Sequence, residues 1–158
     1  MHARAGGNFS VGQDTLVYGQ AQILAGGDSR GGGALQAGNG LQLQAGGAVI
    51  QQGATLVLGD ATISSGGAQS WGQTLQDGVK VSGKLQASAG DGIAIAGALQ
   101  VNQDITLQAG TGGVTGGIGI GGPVSTASNA QLQALGDITL GGPTTVPGQL
   151  DATSSSFD

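Results

Sequence analysis

Both signs of charge meet in the stretch from Asp77 to Asp91, where Lys80 and Lys84 lie among carboxylates. A carboxylate beside a lysine suits an acidic sugar: one group moves a proton and the other holds the negative substrate. Trp71 stands a few residues ahead, and an indole can stack on a sugar ring. Trp71, Asp77, Lys80 and Lys84 are therefore the candidate surface contact. The plainer reading is a solvated turn for the charges and a corner packed over by Trp71. Trp71 and Tyr18 fall in or beside turns, which predicts that both are partly exposed.

Other chemistry is approached and missed. Gly78-Val79-Lys80-Val81-Ser82-Gly83-Lys84 fits the first seven positions of a phosphate loop, but Leu85 stands where a magnesium-binding Ser or Thr is needed. Gly117-Ile118-Gly119-Ile120-Gly121-Gly122 satisfies G-x-G-x-x-G, yet Pro123-Val124-Ser125-Thr126 follows instead of a helix. Calcium-binding β-rolls repeat Gly-Gly-x-Gly-x-Asp every nine residues. Gly26-Gly27-Asp28 and Gly31-Gly32-Gly33 do not recur at that spacing. His2, the only histidine, lies at the start. An ice-binding face would need ranks of Thr-x-Thr, and Thr is too sparse at equivalent positions. No catalytic, cofactor-binding or metal-ligating residue is assigned, and no enzymatic activity or cofactor is expected.

Composition narrows the classes further. Gly numbers 35 of 158 residues, and Gly with Pro makes up about a quarter of the chain. Disorder is the reading to beat, but the net charge is only -5 and the aliphatic residues are regularly placed. Acid comes from nine Asp alone. Lys and Arg total four and form no basic stripe, so nucleic acid binding lacks its electrostatic footprint. There is no Cys, hence no disulfide or thiolate metal site. No apolar run approaches the length of a transmembrane helix. Met1 to Gly7 has no apolar core, so it is not a signal peptide and reads as an artificial start or an internal cut from a longer chain.

The elements that must position these residues are set by a repeat. Gly26-Gly27, Gly46-Gly47 and Gly66-Gly67 fall twenty residues apart, and Ile23, Leu43 and Ile63 keep the same step. Thr15 to Ile23 matches Thr55 to Ile63 at six of nine positions, two periods on. Ala34 to Gly46 matches Ala98 to Gly110 at seven of thirteen positions, with an offset of 64. Asp137-Ile138-Thr139-Leu140 repeats Asp104-Ile105-Thr106-Leu107 at an offset of 33, which fits no multiple of twenty. Shortened turns or a loop therefore lie in the second half, and the phase after Trp71 is open. A fixed period of this length marks a solenoid, which acts as a spacer or binding surface more often than as a machine around one pocket.

The period inside each repeat is two. Leu41-Gln42-Leu43, Leu56-Val57-Leu58, Val79-Lys80-Val81, Ile93-Ala94-Ile95 and Ile105-Thr106-Leu107 read as short strands punctuated by Gly, Asn, Asp and Ser. Leu-Gln pairs at Leu35, Leu75, Leu85, Leu99 and Leu132 place one side chain in and one out. Asp60, Asp104 and Asp137 each precede a strand, where a carboxylate bonds nearby backbone N–H groups. The expectation is an all-β chain forming a parallel β-helix (β-solenoid) with turns of about 20 residues. Residues 1–12 are a lead-in or incoming strand, 13–152 a solenoid of six to eight rungs, and 153–158 a disordered tail. Phe9 and Phe157 lie near opposite ends, where one or both could cover an open edge, and open edges invite end-to-end self-association.

Blocks such as Gly40-Leu41-Gln42-Leu43-Gln44-Ala45-Gly46-Gly47-Ala48 and Gly136-Asp137-Ile138-Thr139-Leu140-Gly141-Gly142 resemble the repeats of filamentous-haemagglutinin-like exoproteins of two-partner secretion systems. The resemblance runs from about Thr15 to Leu150. It implies a right-handed β-helix, export through an outer-membrane secretion pore, and a stalk or adhesive role at the cell surface. The family includes adhesins and the sticks of contact-dependent-inhibition toxins, so a host or neighbouring-cell receptor or glycan is the implied partner. The Asn-Pro-Asn motifs of the family's secretion domain are missing, since no Asn precedes Pro. The chain thus reads as an internal piece of the stick. A carbohydrate-binding or carbohydrate-cleaving β-helix and a self-assembling fibre subunit are the alternatives.

Overall fold

The structure is a computed structural model that describes residues 1–155. Three parallel sheets wind into a β-solenoid. The first rung holds β1 (His2–Ala5), β2 (Phe9–Val11) and β3 (Thr15–Val17), and the second β4 (Ala21–Ala25), β5 (Ser29–Gly31) and β6 (Leu35–Ala37). The third holds β7 (Leu41–Ala45), β8 (Val49–Gln51) and β9 (Thr55–Val57), and the fourth β10 (Ala61–Ser65), β11 (Gln69–Trp71) and β12 (Val79–Val81). Next come β13 (Leu85–Ala89), β14 (Ile93–Ile95) and β15 (Leu99–Val101), then β16 (Ile105–Ala109), β17 (Ile118–Ile120) and β18 (Val124–Thr126). The seventh rung is β19 (Ala130–Ala134), β20 (Ile138–Leu140) and β21 (Thr144–Thr145), and β22 (Leu150–Ser154) opens an eighth.

Every third strand pairs with its copy in the adjoining rung, giving one sheet of eight strands (β1 to β22) and two of seven (β2 to β20 and β3 to β21). We call them the wide, second and third faces. The solenoid begins ahead of the expected boundary: 2–11 already form β1 and β2. At the other end Thr153 and Ser154 complete β22 rather than start a tail, while 156–158, with Phe157, lie outside the described residues.

Alternation decides what is inside. In β7 Leu41, Leu43 and Ala45 are buried while Gln42 and Gln44 point out. On the wide face the middle inward column runs Ile23, Leu43, Ile63, Ala87, Leu107 and Leu132. Each buried Leu or Ile contributes about 1.5–3 kcal/mol relative to exposure. The last inward column is Ala25, Ala45, Ser65, Ala89, Ala109 and Ala134, small throughout because the chain turns there toward the second face. Where Ala replaces a larger residue in one column, its neighbour compensates: Leu85 beside Ala87, and Ala61 beside Ile63.

The phase that the sequence left open follows from two insertions. Residues 72–78 fill a corner that takes three residues, 52–54, one rung earlier, so Ala61 pairs with Leu85, twenty-four residues on. Residues 110–117 replace a corner equivalent to 90–92, so Ile105 pairs with Ala130. The twenty-residue step returns after each. The first residue of each insertion is a glycine with positive φ, Gly72 at 77° and Gly110 at 81°, a backbone that L side chains rarely adopt. The likeness between Asp104–Leu107 and Asp137–Leu140 is not a stacked copy, since β16 is on the wide face and β20 on the second.

Candidate functional site

Trp71 is buried, at 2% exposure, which corrects the expectation of a partly exposed ring. It is the third residue of β11, and parity with Gln69 points it inward, between Gln51 below and Ile95 above. An indole there fills core and cannot stack on a ligand. Tyr18, by contrast, is 88% exposed, as its turn position suggests.

Asp77 organises its own corner. Its carboxylate accepts the Thr74 hydroxyl at 2.9 Å and the backbone N–H groups of Thr74 and Gln73 at 3.0 and 3.3 Å. The Thr74 hydroxyl, followed by the Gln73 N–H, holds its pKa below the ordinary carboxylate value. Lys80 projects outward from β12 on the third face, in register with Leu56 and Gln100. Lys84 sits just before β13 and reaches the Asp104 carboxylate at 3.9 Å, both side chains well exposed, an ion pair of little worth. No hydrogen bond or ion pair joins Asp77 to either lysine among the described residues. The four candidate residues therefore do not converge on one site. Leu75 also departs from expectation: it lies in the 72–78 corner at 70% exposure, not inward.

The acidic residues do something the sequence only half disclosed. Unlike Asp77, the carboxylates of Asp14, Asp28, Asp60 and Asp104 bond forward, to the rung above. Asp14 accepts the N–H of Ala34 at 2.8 Å, Asp28 that of Ala48 at 2.9 Å and Asp60 that of Lys84 at 2.8 Å. Asn8 and Asn129 cap Asp28 and Gln149 in the same way, each at 2.9 Å. Asp104 accepts the Ser128 hydroxyl at 2.6 Å and the Asn129 N–H at 3.3 Å. The Ala48 N–H, then the Arg30 guanidinium, depresses the pKa of Asp28; for Asp104 the Ser128 hydroxyl is the larger cause. At all three corners, side-chain acceptors thus sew one rung to the next in addition to the strand ladders: Asn8 and Asp28 before the second face, Asp14 before the third, and Asp60, Asp104 and Asn129 before the wide face.

Sequence reasoning also missed where large apolar side chains emerge. In β9 the inward residues are Thr55 and Val57, so Leu56 and Leu58 face out, with Leu58 at 51% exposure. Leu16 and Tyr18 lie two rungs below, with Gln36 and Gly38 between. Inside, among the described residues, two buried side-chain atoms have no partner, Thr55 Oγ1 and Gln69 Oε1. Gln51 is buried too and bonds the Gly33 carbonyl, occupying the space that Gly31 leaves open.

The outer depressions are shallow and open, such as the one over Ser64, Ser88 and Thr106. Among the described residues no three His or Asp side chains are grouped as metal ligands, and no hydroxyl is bonded to the imidazole of His2. The chemistry this surface offers is hydrogen bonding through amides and hydroxyls. The class defined here is a three-sided parallel β-solenoid with acceptor-capped corners. Comparison with protein-family models, curated proteins and solved structures found no match.

Proposed function

We propose that the chain is a non-catalytic stalk segment of a large secreted bacterial surface protein, with adhesive contacts along its Gln, Thr and Ser ladders. The observation that carries this reading is the uniform stacking of rungs. Each complete rung adds one strand to every face and extends the rod by about 4.8 Å. The resemblance of the repeat to filamentous-haemagglutinin-like exoproteins adds the expected setting: export through an outer-membrane secretion pore and display outside the cell, facing a receptor or glycan.

The rival reading, a carbohydrate-binding or carbohydrate-cleaving β-helix, loses its aromatic platform to the core at Trp71 and its acid to the corner at Asp77. A glycan panel tests the choice. A stalk cleaves none of the glycans. Cleavage, or saturable binding abolished by Asp77→Ala or Lys80→Ala in a folded protein, sinks the stalk reading in favour of a carbohydrate site.

A further inference from the structure

The wide face carries two outward columns. One runs His2, Gln22, Gln42, Thr62, Gln86, Thr106, Gln131 and Asp151, in register from β1 to β22. The other starts at Arg4 and ends at Thr153. From β4 to β19 neither column holds a charge. The face is therefore neutral along its length, basic at one end through Arg4, and acidic at the other through Asp151. Its amides are already partly organised as ladders: Gln22 donates to Gln42 at 2.7 Å, and Gln108 to Gln133 at 3.2 Å. Flat, neutral, ladder-forming sheets are the surfaces that mate with a second sheet.

We propose that the wide face docks a second copy of this chain, face to face and antiparallel, about a two-fold axis that runs along the strands between β10 and β13. Charge selects that arrangement. The axis sets β1 of one copy against β22 of the other, so His2 and Arg4 meet Asp151 of the second copy, twice by symmetry. It also sets the rim before β10 against the rim before β13, so Asp60 faces Lys84 of the second copy. The parallel alternative, about an axis along the rod, would set Arg4 against His2 at one end and Asp151 against Thr153 at the other, so that neither end meets its opposite charge. Size permits it as well. The eight strands, five residues long except for the four of β1, cover about 34 Å by 16 Å, or roughly 1,100 Å² over both copies, just above what a specific interface needs. The second and third faces, three residues wide, fall short of that area. The pairing holds whether or not the rod serves as a stalk.

Sedimentation velocity from micromolar to sub-millimolar protein tests it. The expected result is a concentration-dependent dimer that goes no further. Thr62→Lys with Gln86→Lys sets like charges opposite each other at the axis and should weaken the dimer at least ~10-fold. Gln100→Lys, on the third face, should leave it intact. Asp151→Lys should weaken it, and adding Arg4→Asp should restore it. Circular dichroism confirms that each variant is folded. A monomer at every concentration overturns the proposal. So do species that grow beyond a dimer and ignore Thr62→Lys with Gln86→Lys, which is end-to-end stacking. A monomer whose wide face binds soluble dextran, with that binding lost in the same double variant, overturns it in favour of a neutral glycan.

Discussion

The Asp28 carboxylate accepts the backbone N–H of Ala48, twenty residues ahead, at 2.9 Å. That bond is stronger to the ionised acceptor, and it depresses the pKa of Asp28. Asp77 and Asp104 are depressed by their own donors. A depressed folded-state pKa contributes stability that is fully present above the unfolded value, about 3.9, and is lost as pH falls through the folded value. Urea midpoints should therefore hold level from neutral pH to about pH 5 and decline below about pH 4. A midpoint that stays flat to pH 2 would remove the corner carboxylates from the account.

Thr55 Oγ1 is buried without a partner in the inward column between Leu35 and Val79. Thr55→Val keeps the shape and removes the orphaned hydroxyl, so it should stabilise the protein by about 1–3 kcal/mol. Equilibrium urea unfolding reads this directly. A destabilised variant would mean that the hydroxyl has a partner, such as an ordered water.

Burial of Trp71 between Gln51 and Ile95 has an optical signature. Native fluorescence should be blue-shifted and resist iodide, and both properties should vanish on unfolding. Trp71→Ala should cost about 3–5 kcal/mol through the cavity it leaves. Ready iodide quenching in the native state would place the ring outside.

Two glycines separate backbone need from free space. At Gly72 φ is 77° and an added Cβ would strike the Asp77 carbonyl, so Gly72→Ala should destabilise, by at least ~1 kcal/mol. Gly119 faces outward from β17 with nothing near an added Cβ, and Gly119→Ala should stabilise by about 0.5 kcal/mol or more. Melting temperatures that move in the same direction for both would contradict the difference.

The second to fourth rungs were legible because Ile23, Leu43 and Ile63 occupy one inward column at a strict step, whereas β1 and β2 fell in a segment read as a lead-in. The offset of 64 between Ala34 and Ala98 also has a plain origin: two ordinary rungs and one lengthened by the 72–78 corner. Residue types could not say which corner was lengthened, because inserted Gly, Thr and Gln resemble ordinary turns. Nor does Asp-Ile-Thr-Leu name its face, since β16 and β20 ask for the same in-out alternation. Parity caused the other misses. Trp71 beside Gly72 looks like a turn, and Leu56-Val57-Leu58 looks apolar throughout. Only pairing with the neighbouring rungs decides that Trp71 and Val57 point in while Leu56 and Leu58 point out. The candidate contact dissolved for a related reason: closeness in sequence does not bring side chains together when successive strands turn onto different faces.

The two lengthened corners separate the number of codons from the length of the rod. Axial length counts strands per face, so the extra residues of 72–78 and 110–117 add nothing to it. A small in-frame insertion at a corner is therefore nearly silent for the reach of the rod, and closing a slightly longer loop costs only a fraction of a kcal/mol, about 0.6 for each doubling of loop length. One inserted residue within β7 or β16 would instead turn the rest of that strand inside out. A gene for such a rod can drift in length at its corners, while selection holds the strands to an odd-even count.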